Sequence, residues 1–182
     1  MKQKTCKVCK EKFEPERPMQ TTCSFEHAIE YVNNNKKKKQ AQQSRERKKE
    51  FQETDKQFWK KKARYYLHKW IREVRDADKP CVSCGTKDAK WQAGHFHSDG
   101  GHSILRYHEW NIHKQCVYCN MYMSGNLRAY ETELINRIGQ EAFDSITNMK
   151  NDRKSWTLEE LKDIAEKYQL LCKENKDQGV LL

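Results

Sequence analysis

The sequence has few large aliphatic and phenylalanine side chains. Leu, Ile, Val and Phe together number 30 of 182 residues, whereas 34% of the residues are charged. A highly charged chain with less than about one fifth of these residues usually cannot fold on apolar burial alone. The composition therefore excludes one large hydrophobic core.

The chain also lacks a long apolar run. No segment approaches the roughly 18 residues that a membrane span needs. The first twelve residues carry charges where a secretory signal would be apolar. We therefore expect a soluble, cytoplasmic protein with no membrane partner.

Cysteine and the large aromatic residues, by contrast, are plentiful. The chain has eight Cys, five Trp and eight Tyr, which a disordered polar chain would not carry. Small domains that are short of core are commonly stabilised by a metal or by disulfides. Because a reducing compartment disfavours disulfides, the cysteines are better interpreted as metal ligands.

A short Cys/His-rich head opens the chain. Cys6 and Cys9 form one close pair, Cys23 and His27 a second, and 13 residues separate the pairs. This pattern predicts a finger-like zinc module at 1–32 with three thiolate ligands and one imidazole ligand. The alternative is that His27 is an ordinary helix residue and that the fourth ligand is water or absent.

A second set of four cysteines lies near the middle of the chain. Cys81-x2-Cys84 and Cys116-x2-Cys119 are separated by 31 residues. Each pair presents two sulfurs from one tight turn, so that two pairs complete a tetrahedral site. The spacing predicts a structural four-cysteine zinc site, whose occupation would contribute directly to folding.

Between the two cysteine sets lies a strongly basic segment, 33–79. Residues 36–75 contain 16 Lys or Arg against 5 Asp or Glu, an excess of +11. We expect its first half, to about Thr54, to be helical only in part, and its second half to be an amphipathic helix. The excess favours phosphate binding over a merely solvated surface. The candidate DNA-binding residues are Lys36, Lys37, Lys38, Lys39, Arg45, Arg47, Lys48, Lys49, Lys60, Lys61, Lys62 and Arg64.

Trp59 and Trp70 lie on the apolar stripe of the second half of this segment. They could stack on unpaired bases, but their helical spacing favours packing in the core.

Segment 80–126 combines the second cysteine set with most of the histidines. Residues 91–97 read as a strand whose alternation would place His95 and His97 on one face. Asn111 precedes the second cysteine pair, and Asn120 follows Cys119 directly. A neutral imidazole can accept a proton from water, and an amide oxygen can ligate Mg²⁺.

This order of residues resembles the zinc-stapled HNH, or ββα-metal, nuclease core of the endonuclease VII type. Three runs together with the Cys-rich head and the basic segment more narrowly resemble the phage NinG (Rap) recombination proteins. The runs are Trp91 to His95, Asn111 to Cys116, and the two short pieces Cys119-Asn120 and Ser124-Gly125-Asn126. The resemblance covers the chain from Cys6 to about Lys173.

The resemblance implies a metal-dependent endonuclease that acts on branched recombination intermediates such as Holliday junctions and D-loops. His95 matches the general base, Asn111 the residue that buttresses its loop, and Asn120 a ligand of a catalytic Mg²⁺ or Mn²⁺. His97 matches a second histidine of the pattern. It further implies a DNA partner that is branched rather than linear, the host cell cytoplasm as location if a phage encodes the protein, and, because a junction is two-fold symmetric, a homodimer.

One position departs from the HNH pattern. Gly94 stands where many HNH enzymes carry an Asp or His ligand, and glycine cannot ligate through a side chain. The candidates for the missing ligand are His97, Asp99, His102 and His113.

The overall prediction is a mostly helical α+β protein with a small, zinc-stapled ββα-metal core. An N-terminal zinc module precedes the core at 80–126, packing helices follow at 127–175, and a tail occupies 176–182. Two rival functions stay open: a non-catalytic, zinc-stapled DNA-binding or recombination adaptor protein, and RNA binding in a ribosome-associated protein. The second rival gives His95 and Asn120 no role.

Overall fold

The computed structural model of the protein describes residues 2–179, with side chains up to residue 175. The chain forms two compact units, one ending at Thr54 and one beginning at Asp55. The architecture is α+β and mostly helical, with two small sheets, as the sequence predicted. Within the described residues, no helix combines the length and apolar character needed to cross a membrane.

The first unit consists of a small hairpin and one long helix. Strands β1 (Lys4–Thr5) and β2 (Lys12–Phe13) pair antiparallel, and helix α1 spans Phe25–Thr54. The expectation that this segment is helical only in part is wrong. Its Lys, Gln, Arg and Glu residues are good helix formers, and the helix contains neither Pro nor Gly, so it forms without burying any residue.

The second unit begins with helix α2 (Lys56–Trp70), which continues into a π-helical turn, Ile71–Arg75. The Asp55 carboxylate caps α2 by accepting a hydrogen bond from the Gln57 N–H at 2.8 Å. Trp59, Ala63 and Leu67 form the buried face of α2, as their spacing predicted.

A two-stranded antiparallel sheet carries the central segment. Strand β3 (Trp91–His95) pairs with β4 (Ile112–Cys116), and Gly94 lies opposite His113. Short 3-10 turns at Ser103–Leu105 and Glu109–Asn111 lead from β3 to β4. A five-residue helical turn, Tyr118–Tyr122, follows β4 and carries Asn120.

Three helices complete the unit: α3 (Leu127–Ile138), α4 (Gln140–Met149) and α5 (Leu158–Gly179). A reciprocal capping box begins α5, because Thr157 and Glu160 each donate a backbone N–H to the side chain of the other. Cys172 is buried on α5. The predicted tail at 176–182 begins within α5, and 180–182 lie outside the described residues.

Two apolar clusters hold the second unit together. The first lies between α2, α5 and one face of the sheet and comprises Trp59, Ala63, Leu67, Ile71, Ala93, Tyr107, Ile112, Leu161, Ala165 and Tyr168. The second is built around α3 and α4 and comprises Val82, Leu105, Tyr130, Leu134, Phe143 and Ile146. One face of the sheet packs against α2 and α5. On the other face, Tyr130 of α3 donates a hydrogen bond to the Gly94 carbonyl near the end of β3. Trp59 is 7% exposed and Trp70 packs on Tyr168 at 5.0 Å between ring centroids, so both tryptophans serve the core.

Candidate functional site

The head residues Cys6, Cys9, Cys23 and His27 form a compact ligand set. Their ligand atoms lie within 4.8 Å of one another. The closest pair is the Cys23 Sγ and the His27 Nδ1, 3.0 Å apart. The Cys6 sulfur accepts backbone N–H donors from Val8 at 3.4 Å and Cys23 at 3.5 Å, which favour a thiolate. The arrangement fits a zinc site of three sulfurs and one imidazole, with His27 beside the sulfurs as predicted.

The four central cysteines form the second set. The sulfurs of Cys81, Cys84, Cys116 and Cys119 also lie within 4.8 Å of one another, and all but Cys84 are buried. Backbone N–H groups of Cys116 and Cys119 donate to the sulfurs of Cys81 and Cys116, each at 3.3 Å. This set fits a closed, structural zinc site. Bound zinc would link the start of segment 80–126 to the end of β4.

His95 ends β3 and faces α2. Its ring lies 5.4 Å from the ring of His68 on α2, and its Nε2 lies 3.1 Å from the Arg106 carbonyl oxygen. Because a carbonyl only accepts hydrogen bonds, Nε2 carries the proton and Nδ1 keeps its lone pair. Burial lowers the pKa of His95, although the Arg106 carbonyl opposes it. The side chain is therefore a neutral imidazole at pH 7, with Nδ1 able to accept a proton.

Asn111 braces the segment that follows β3. It is fully buried, its Oδ1 accepts the His97 N–H at 2.8 Å, and its Nδ2 donates to the His97 carbonyl at 2.9 Å and to the Leu105 carbonyl at 3.2 Å. These hydrogen bonds fix the backbone at His97, two residues after His95. The role of Asn111 as a buttress of the segment behind a catalytic base stays a prediction.

His95 and His97 do not share surroundings, because β3 and its alternation end at His95. The ring of His97 packs on Phe96 at 4.7 Å and on His102 at 5.3 Å between centroids. Burial lowers the pKa of His97 to about 4. The expectation that the two imidazoles point the same way is therefore not met.

Asn120 lies on the opposite face of β3 from His95. Its Nδ2 donates to the Gln92 Oε1, which leaves its Oδ1 directed towards Gly94. A Cβ built on Gly94 would lie 3.1 Å from this oxygen and only 2.0 Å from the Gln115 Oε1. Two amide oxygens thus converge on the position where the HNH pattern would place a ligand, and Gln92 holds the amide that carries one of them.

Three of the four residues considered as replacements for the position-94 ligand are engaged elsewhere, whereas the buried Nε2 of His97 has no hydrogen-bond partner among the described residues. Asp99 pairs with Arg64 at 3.1 Å and with Arg106, and the His102 Nδ1 bonds to the Lys150 carbonyl at 2.6 Å. His113 accepts a hydrogen bond from Arg75 at 3.1 Å and packs its ring on Tyr130. With His97 packed on His102, no contact described for these four side chains reaches Asn120.

The basic residues fall into two groups. Those at 36–39, 45 and 47–49 are all exposed on α1. On α2, Lys60, Lys61 and Arg64 line a cavity of about 290 Å³ together with Gln57, Asp99, Arg106 and Tyr107. Lys62 instead lies over the Trp59 ring, 4.3 Å from its centroid. The cavity lies on the His95 side of the sheet, because the Arg106 carbonyl contacts His95.

Sequence reasoning missed His68, Gln92, Arg106 and Gln115. None belongs to a spaced ligand motif, and each acquires its position only through tertiary contacts. The pairing of Gln92 with Gln115 across the two strands, for example, depends on the register of the sheet.

The fold and these sites define a small, basic α+β protein with two clusters able to hold structural zinc. Residues 1–178 match the family model described as the bacteriophage lambda NinG protein. The chain is 41% identical over 197 aligned positions to protein ninG of Escherichia phage 933W, which covers 93% of this chain and 92% of that protein. It is 50% identical over 118 positions to protein ninG of Escherichia phage lambda, covering 64% and 57%. The chain belongs to the NinG family. No solved structure matches it.

Proposed function

We propose that this protein is a metal-dependent, structure-specific DNA endonuclease of the HNH type that acts on branched recombination intermediates such as Holliday junctions and D-loops. The observation that carries the proposal is the state of His95. Its tautomer is fixed by the Arg106 carbonyl and its pKa is lowered by burial. A neutral imidazole held in one orientation is what a general base requires.

The surroundings of His95 support a phosphodiester substrate. Lys60, Lys61, Arg64 and Arg106 line the cavity on the same side of the sheet, against the single carboxylate of Asp99. Such a concentration of positive charge attracts phosphate. A DNA backbone that occupies this cavity and crosses the end of β3 would pass beside His95. The exposed lysines of α1 also suit phosphate binding.

In this mechanism, the His95 Nδ1 accepts a proton from water as the water oxygen attacks phosphorus. The bond between phosphorus and the 3′ oxygen breaks, and the leaving oxygen is protonated by solvent, which yields a 5′-phosphate and a 3′-hydroxyl. Asn111 holds the segment behind His95 in place. Mg²⁺ or Mn²⁺ held at Asn120 would supply stabilisation of negative charge on phosphate oxygens. Because Asn120 lies on the opposite face of β3 from His95, this mechanism requires the bound DNA backbone to pass around the end of that strand.

The rival function is a non-catalytic, zinc-stapled DNA-binding or recombination adaptor protein. The observation that favours it is Gly94, which contributes no side-chain ligand. Both functions require the basic residues and the zinc clusters. They differ only in whether the residues at the end of β3, His95 above all, take part in catalysis.

Substitution of His95 separates the two functions. We expect His95→Ala to lower the junction cleavage rate by about 10² to 10⁴, the usual contribution of a positioned general base. Zinc content and junction affinity should not change. The matched control is His108→Ala, because the pKa of this imidazole is also lowered by burial but its Nδ1 accepts a hydrogen bond from the Trp110 N–H. If His95→Ala cleaves as fast as the parent protein, the adaptor function becomes the better account.

A further inference from the structure

The Gln115 side chain has one satisfied end and one unsatisfied end. The residue is fully buried. Its Nε2 donates to the Ser83 Oγ and to the Gly125 carbonyl, both at 2.6 Å. Its Oε1 is buried without a hydrogen-bond partner among the described residues. Because the Gly125 carbonyl can only accept, the amide cannot be flipped, and the oxygen must face Gly94.

The unsatisfied oxygen lies beside a second amide oxygen. The Gln115 Oε1 and the Asn120 Oδ1 lie 2.0 Å and 3.1 Å from the Cβ position of Gly94. The two oxygens therefore cannot be further apart than the sum of these distances, about 5 Å. An octahedral ion with oxygens at about 2.1 Å holds its ligands about 3 to 4 Å apart. The upper bound of about 5 Å therefore includes the separations at which two oxygens share one ion.

A third amide fixes the orientation of the second. The Gln92 Oε1 accepts the Asn120 Nδ2, so the Asn120 Oδ1 is left free of that contact and faces Gly94. Gln92 pairs directly with Gln115 across the sheet. The strand register therefore brings all three amides to one place, and Gln92 is a positioning residue.

We propose that the Gln115 Oε1 and the Asn120 Oδ1 together bind a divalent cation such as Mg²⁺ or Mn²⁺, with Gln115 supplying the ligand that Gly94 lacks. Uncharged amide oxygens are hard donors that suit these ions rather than zinc. Gly94 fits the same account: any side chain there would collide with the Gln115 oxygen. The purpose of the site rests on the proposed nuclease function, whereas its test does not.

The test is a titration of the zinc-loaded full chain with Mn²⁺, followed by NMR of the side-chain NH₂ groups. Bound Mn²⁺ broadens nearby resonances, and weak binding still registers. We expect the Gln115 and Asn120 NH₂ signals to broaden before that of Gln57, which lies on α2. Unchanged Gln115 and Asn120 signals would overturn the proposal.

Two variants distinguish the role of the Gln115 oxygen as a metal ligand from the role of the hydrogen bond between Ser83 and Gln115. Gln115→Ala should weaken Mn²⁺ binding at least about tenfold, the lower end of the usual loss for a disturbed metal shell. Ser83→Ala removes one hydrogen bond of the brace but leaves the Gln115 Oε1, so it should bind Mn²⁺ like the parent protein. Equal Mn²⁺ affinity in Gln115→Ala and the parent protein would overturn the proposal. If Gln115→Ala does not fold, the Mn²⁺ titration of the parent protein by itself decides whether the site exists.

A compensating pair adds an independent check. Gly94→Asp alone should displace Gln115 and weaken Mn²⁺ binding, since the new Cβ would lie 2.0 Å from its oxygen. Gly94→Asp combined with Gln115→Ala frees that space and supplies a carboxylate, so Mn²⁺ binding should recover. Parent-like binding by Gly94→Asp alone would contradict the proposed geometry.

The site and the nuclease function can fail separately. Mn²⁺ broadening at Gln115 in a protein that never cleaves junctions would uphold the site and remove the nuclease function. Cleavage that depends on His95, with Mn²⁺ leaving Gln115 unaffected, would uphold the function and remove Gln115 from the site.

Discussion

At the scale of single residues, the state of His95 depends on neighbours that are distant in sequence. His68 contributes a second ring at 5.4 Å, and burial, followed by the nearby His95, lowers the pKa of His68 to about 3. The Arg106 carbonyl selects the tautomer of His95. Two neutral imidazoles thus face each other between α2 and the end of β3.

This environment predicts the pH dependence of cleavage. A general base works only when unprotonated, and burial holds the pKa of His95 below its usual value of 6.5. The rate at saturating DNA should therefore fall to half its maximum only below pH 6.5, as His95 becomes protonated. Single-turnover cleavage in Mg²⁺ measures this profile. A rate that is already halved at pH 6.5 or above would contradict the assigned base.

The sequence could predict some of these residues and not others. The cysteine ligands follow from spacing alone, because a Cys-x2-Cys turn is a local structure. His95 and Asn111 required resemblance to a known pattern. Gln115 could not be found either way, since its importance arises from the register that sets it beside Gly94 and from the close approach of its oxygen.

At the scale of elements, the two cysteine-rich clusters would, with zinc bound, supply folding free energy in addition to that of the small apolar cores. Metal analysis of protein purified without chelator should find two zinc ions per chain. Cys81→Ser should reduce this to one and unfold the second unit, because a structural zinc contributes folding free energy directly. Circular dichroism and metal content measured together test this, with Cys172→Ser as a matched control outside both clusters. A folded Cys81→Ser protein would show that the central zinc is dispensable.

Hydrophobic periodicity underestimated the helical content of α1. Absence of an apolar stripe suggested incomplete helix, yet Phe25–Thr54 is helical throughout. Local propensity and side-chain pairs such as Gln42 with Glu46 at 2.9 Å support it. At 1.5 Å per residue the helix is about 45 Å long, so it can present its lysines along several phosphates.

The role of α1 is tested through salt dependence. Replacing Lys36, Lys37, Lys38 and Lys39 with Gln should weaken DNA binding, because fewer side chains then neutralise phosphates. The dependence of log K on log salt should flatten by nearly one unit for each phosphate that the helix no longer neutralises. The same four residues changed to Arg keep their charge and should keep the slope. A slope unchanged in the Gln variant would show that other basic residues bind the phosphates.

At the scale of the whole molecule, the chain divides its tasks between two units. The first holds the head cluster of three cysteines and His27 together with the exposed basic helix, and the second holds the sheet, the four-cysteine cluster and both helical cores. The helical α+β class, the amphipathic helix α2 and the presence of packing helices at 127–175 could be predicted from the sequence. The short turn that carries Asn120, and the opposite faces taken by His95 and Asn120, required three-dimensional structure.

The most direct measurement of the central claim is cleavage by the purified, zinc-loaded protein of a synthetic four-way junction and a linear duplex of matched sequence, with and without Mg²⁺ or Mn²⁺. We expect cleavage of the junction alone, only with the added divalent ion, and 5′-phosphate ends. Junction binding without any cleavage at any metal concentration would contradict the nuclease account and leave a zinc-stapled DNA-binding protein.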